Sequence, residues 1–179
     1  MAEHTMTRLW TMRALFIGLA LVLVLFKLLP LEFTPRRWAG PDLVICFCFA
    51  WVLRRPEYVP VLSIAAVVFF SDLMLQRPPG LLAALVVIAT QNLKSRSASL
   101  RNQPFSVEWL SVTATLVAIA VANRIILAIS ITPQAPFGLS VIELITTILA
   151  YPLVMLVSIY GFGLRKSSLG EVNALGQRL

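Results

Sequence analysis

Apolar residues gather along the chain into six runs, roughly 12–31, 41–53, 58–75, 80–93, 107–131 and 137–164, parted by short stretches of charge, proline and glycine. Four of the runs reach the roughly 17 to 25 residues that carry a helix across a bilayer. The runs 41–53 and 80–93 fall short, and each fits a span of thin membrane, a re-entrant piece or an interfacial helix. The pattern predicts an all-α, polytopic membrane protein built as a six-helix bundle.

The punctuation agrees with these boundaries. Pro35, Pro56, Pro78, Pro79, Pro104, Pro133 and Pro136 lie in the connections, where a missing amide hydrogen does least harm. Pro152 is the exception, inside the last run, and predicts a kink near Tyr151, because a membrane helix tolerates proline when neighbours re-satisfy the freed carbonyl. Trp10, Trp38, Trp51 and Trp109 fall near run ends, as residues of an aromatic belt do. No internal repeat is visible.

Composition sharpens the assignment. The apolar share is 59% and the charged share 13%, with a mean hydropathy of +0.87, against roughly 45–50% and 25% in soluble domains. No polar block is long enough for a second domain, so residues 1–179 are expected to form one membrane domain. The first run extends from about Ala14 to Leu31 with Lys27 inside it and lacks a small-x-small cleavage site. It reads as a retained helix, not a cleaved leader.

The net charge of +7 would suit a nucleic-acid surface, but the cations lie between apolar runs and so read as an orientation signal. With six spans and the N-terminus inside, the inner side collects Arg8, Arg13, Arg54, Arg55, Lys94, Arg96, Arg101, Arg165, Lys166 and Arg178. The outer side collects Arg36, Arg37 and Arg77, while Lys27 and Arg124 fall within spans. Ten against three supports cytoplasmic N- and C-termini, where five spans would put one terminus outside. The stretch from Lys94 to Ser106 has no hydrophobic period and reads as the longest cytoplasmic loop, touching anionic lipid head groups or docking a partner.

Catalytic and metal chemistry find little to work with. Cys46 and Cys48 sit in an apolar run and read as reduced, structural thiols. His4 is the single histidine, so a tetrahedral metal site is not expected. There is no G-x-S-x-G elbow, no H-E-x-x-H pair and no phosphate loop. The expectation is a protein that is not an enzyme and holds no cofactor.

Ionisable residues inside apolar runs are the informative exceptions, since each costs about 2.5–3.5 kcal/mol on insertion scales and needs a partner, a cavity or the interface. Asp42 opens the second run, Asp72 lies late in the third, Asn123 and Arg124 late in the fifth, and Glu143 early in the sixth. The six-span topology puts all of them at one level, towards the outer face. The expected arrangement is an Asp72–Arg124 pair with Glu143 or Asp42 nearby, either holding the bundle or lining a pocket. Glu108, beside Trp109 at a run start, reads as interfacial, either exposed or snorkelling.

Three stretches carry a family resemblance: Pro41-Asp42-Leu43, WVLRRPEYVP from Trp51 to Pro60, and FFSDLMLQRPPGLLAAL from Phe69 to Leu85. The chain resembles the MreD family of bacterial rod shape-determining membrane proteins. Asp72, Pro79 and Gly80 match that family's helix-ending acidic motif, and the specific match spans Pro41 to Leu85. The resemblance implies a multi-pass protein of the bacterial inner (cytoplasmic) membrane. Its fold would be similar to the substrate-binding subunits of energy-coupling-factor transporters. Its function would be a non-catalytic scaffold that binds the membrane helix of MreC and supports peptidoglycan synthesis and cell shape, in a complex with MreB, RodA and a class B penicillin-binding transpeptidase. No nucleic acid is implied, and membrane lipid is the remaining partner. Gly18, Ala20, Ala65, Ala66, Ala118, Ala120 and Ala122 are candidate small-residue contacts for a docking helix. The alternative is a small-molecule binding subunit of a membrane transporter, with Asp72, Asn123 and Arg124 pointing into its pocket.

Overall fold

A computed structural model describes residues 2–29, 39–101 and 103–164, with the side chains of residues 2–5, 98, 100 and 101 outside the description. Trp38, Arg36, Arg37, Arg165, Lys166 and Arg178, used above for belt and orientation, lie outside the described residues, as does the side chain of His4. Six helices and no strand occur among them: α1 (Ala2–Leu28), α2 (Leu43–Arg54), α3 (Val61–Met74), α4 (Leu81–Arg101), α5 (Phe105–Ile129) and α6 (Phe137–Phe162).

Proline starts three of these helices. Pro60, Pro104 and Pro136 stand at the N-cap positions of α3, α5 and α6. A cap residue needs no helical amide of its own, while its carbonyl accepts the first helical bond. Ile64, Glu108 and Ser140 donate to those carbonyls at 3.3, 3.5 and 3.2 Å. At the far end of α6, Gly163 takes φ +64° and returns its amide to the Ser158 carbonyl, the left-handed closure that glycine allows without a Cβ clash.

Three helices are long and apolar enough to cross a membrane: Met6–Leu28 within α1, α5 and α6. The short second run behaves differently. α2 has 12 residues, about 18 Å of helix, and every residue from Val44 to Leu53 is buried. A helix that is apolar all round has no solvent face to keep and belongs inside. α2 is that core, packed by α1, α3, α4 and α6, while α1–α3, α3–α4, α4–α5 and α5–α6 contacts continue the wall around it. Phe47 stacks on Phe16 of α1 at 5.6 Å between ring centres, and Trp51 lies 5.7 Å from Phe162 of α6.

Trp51 is therefore no belt residue: it is fully buried, whereas Trp10 is 65% exposed. The tryptophan near a run end was drawn inward because the whole run is core. α4 departs from expectation too. The polar stretch from Lys94, read as loop, continues the helix as far as Arg101. Its Leu, Lys, Arg and Ala residues are good helix formers, and Ser95 and Ser97 fold their hydroxyls back onto the carbonyls of Asn92 and Lys94 at 2.8 and 2.7 Å.

α6 passes through Pro152 without interruption. Proline cannot donate to the carbonyl four residues before it, here that of Ile148. The indole Nε1 of Trp109 donates to that oxygen at 3.2 Å. The freed carbonyl is satisfied from the neighbouring helix α5.

Candidate functional site

Polar residues concentrate at the two ends of α2. At its N-terminal end, Asp42 is the N-cap, and its Oδ1 accepts from the Ile45 amide at 3.4 Å. Its Oδ2 accepts from Lys27 Nζ at 2.7 Å and from Arg77 Nη1 at 3.4 Å. Glu143 Oε1 accepts from the same two cations, at 3.2 Å from Lys27 and 3.1 Å from Arg77. Two cations and two carboxylates thus close a ring that joins α1, the entry to α2, the α3–α4 connection and α6. The Asp42 amide adds a bond to Thr147 Oγ1 of α6 at 2.9 Å. Burial works against the charge on Arg77, but the carboxylates of Asp42 and Glu143 outweigh it and raise its pKa above the ordinary arginine value.

Asp72 and Arg124 do not meet. Asp72 is buried in α3, and its Oδ2 accepts the amides of Gly80 and Ala83, both at 3.3 Å. A carboxylate at the start of α4 takes up amide groups that have no helical acceptor and sits favourably at the positive end of the helix. Gly80 can turn there because it adopts φ +87°. Arg124 instead donates to Ser140 Oγ at 3.4 Å and to the Ala135 carbonyl at 3.5 Å, with its guanidinium 4.9 Å above the Phe137 ring. The expected pair fails because Asp72 is spent on the next helix and Arg124 on the α5–α6 connection.

Of the five side chains proposed as a cluster, Asp42 and Glu143 come together through Lys27 and Arg77. Asn123, Arg124, Asp42 and Glu143 share the wall of one cavity, and Asp72 lies outside it. The cavity has a volume of about 330 Å³ and lies between α4, α5 and α6. Leu82, Leu116, Ile119 and Leu144 give it apolar lining, and Gln76, Arg77 and Gln134 add to its polar lining. Lys27 and Arg77 are the partners that sequence reasoning missed. Their signal was present, since a lone lysine in an apolar run requires a counter-charge.

The other end of α2 holds a second group. Glu108 is 1% exposed, where an exposed or snorkelling interfacial side chain was expected. Its Oε1 accepts from the Tyr151 hydroxyl at 3.3 Å and lies 3.7 Å from Arg54 Nη2. Arg54 Nε also points at Met155 Sδ, 3.3 Å away. Nearby, Arg13 of α1 donates to the Glu57 carbonyl at 3.2 Å. Cys46 and Cys48 are free and buried, and the Cys46 thiol donates to the Thr147 carbonyl at 3.3 Å.

Among the described residues, fold and site together define a helical bundle with three helices of membrane-crossing length, a buried central helix tied by charge at both ends, and an amphipathic cavity beside Arg124. Compared with protein-family models, curated proteins and solved structures, the chain matches none.

Proposed function

We propose that this protein is a non-catalytic scaffold of the bacterial inner membrane, of the MreD type. It docks the membrane helix of MreC and so takes part in the elongation complex that supports peptidoglycan synthesis and cell shape. In this reading all six helices belong to the membrane domain, both termini are cytoplasmic, and the end bearing Asp42 and Glu143 faces outward.

The observation that carries it is the use made of the charged side chains. Lys27, Asp42, Asp72, Arg77 and Glu143 all bond to other parts of the same chain, so they hold helices in register. The motif residues Asp72 and Gly80 act as one joint between α3 and α4. Exposed apolar helix surface is available to a partner. Ile17, Gly18, Val22, Leu25 and Phe26 form an exposed stripe on α1, and nothing lies within 4 Å of a Cβ placed on Gly18. Helices associate in lipid by close packing at such small residues.

The test is affinity purification from native membranes in mild detergent. MreC and the wall-synthesis enzymes are expected to co-purify in fixed ratio, and Gly18→Leu is expected to remove MreC while leaving thermal unfolding unchanged. An ATPase module recovered instead would replace the scaffold with the transporter reading. The cavity beside Arg124 is the observation that favours that second reading.

A further inference from the structure

Arg124 stands apart from the other part-buried cations at this end of the bundle. Lys27 and Arg77 are matched by Asp42 and Glu143, whereas Arg124 has no carboxylate within 4 Å among the described residues. Its two hydrogen bonds, at 3.4 and 3.5 Å, are long and leave from Nη1 alone. The adjacent Asn123 side-chain carboxamide has no hydrogen-bond partner among the described residues, and both side chains line the cavity. A guanidinium offers five N–H donors in a planar fork suited to phosphate or carboxylate oxygens. Retaining one half-desolvated and without an anion is costly unless something supplies the anion.

The rest of the cavity fixes what carries that anion. Its volume of about 330 Å³ falls at the lower end of the range for small-molecule sites, about 300–1,000 Å³. Asp42 and Glu143 on its lining are already matched by Lys27 and Arg77, and Leu116, Ile119, Ala120 and Leu144 line it as well, so an apolar group fits beside the charged side chains. We propose that this cavity binds the anionic head of an amphiphilic molecule, a phosphate or carboxylate held by Arg124 and Asn123 with its apolar part against α5 and α6. The site is separate from the α1 stripe, so it stands or falls independently of partner docking.

The test uses the full-length protein in neutral detergent, with binding followed by native mass spectrometry and thermal shift. Dodecyl phosphate is the probe, dodecyltrimethylammonium the charge-reversed control of equal chain length, and inorganic phosphate the head group alone. Wild type is expected to prefer dodecyl phosphate to the cationic control. Arg124→Gln is expected to weaken dodecyl phosphate about tenfold or more, the loss of a charge-assisted contact, while Arg96→Gln, an equal charge change on exposed α4 surface, leaves it unchanged. Ala120→Phe, which fills the cavity and keeps the arginine, is expected to weaken it too and decides the matter if the arginine variant does not fold. Inorganic phosphate that stabilises on its own identifies a free anion as the ligand, and silence from it beside dodecyl phosphate binding identifies a lipid-like one. Equal binding to wild type, Arg124→Gln and Ala120→Phe, or equal response to both dodecyl probes, overturns the proposal.

Discussion

Pro152 and Trp109 form one hydrogen-bonding unit although they sit on different helices. The imide at 152 leaves the Ile148 carbonyl without its helical donor, and the Trp109 indole replaces it. Trp109→Phe is expected to destabilise by about 1–3 kcal/mol, the cost of an unsatisfied buried acceptor. Pro152→Ala restores the main-chain donor, so the same change in that background costs less. Thermal unfolding of the four proteins of this double-mutant cycle measures the coupling, expected to exceed about 0.5 kcal/mol. A sequence reading located the proline and the need for a donor, but not the donor. Trp109 was assigned to a belt and Glu108 to the surface, because their surroundings depend on how α5 is rotated against α2 and α6. No local pattern encodes that rotation.

At the scale of elements, the joint between α3 and α4 explains why an aspartate followed by Pro79 and Gly80 ends one helix and begins another. The Asp72 side chain reaches forward to the amides of Gly80 and Ala83 using a single oxygen, and its buried Oδ1 has no hydrogen-bond partner among the described residues. Asp72→Asn keeps an acceptor for both amides and removes a buried charge, so it is expected to leave the unfolding temperature near wild type. Asp72→Ala loses the cap and is expected to cost about 0.5–2 kcal/mol. An Asp72–Arg124 ion pair would have made both changes comparably damaging. Element existence was legible from the apolar runs, and the proline positions marked the starts of α5 and α6. The end of α4 was not legible, because helix formers without an apolar stripe look like loop when periodicity is the criterion.

For the whole molecule, the ring of Lys27, Asp42, Arg77 and Glu143 clamps four segments at one end. Lys27→Met leaves two carboxylates facing Arg77 alone. Breaking a fully buried pair costs about 3–5 kcal/mol. Here the Lys27 and Glu143 side chains are 20% and 32% exposed, so solvent screening lowers the expectation to about 1–3 kcal/mol. Thermal unfolding in detergent checks it, and a loss as large as that of a sealed ion pair would mean the ring is drier than its exposure indicates. Sequence reasoning brought Asp42 and Glu143 to one level but omitted Lys27 by treating it as a span residue, and counted Arg77 only as an orientation charge.

The buried central helix also sets an order of events during synthesis. α2 leaves the ribosome before α4 and α6, the helices that later cover much of it. At 12 residues and with Asp42 and Arg54 at its ends, it is too short to be handed to the bilayer as a spanning unit of about 20 residues. The contacts that bury it are complete only once α4 and α6 have followed. A nascent protein halted before α6 still presents the faces of Cys46 and Phe47 that the finished bundle encloses.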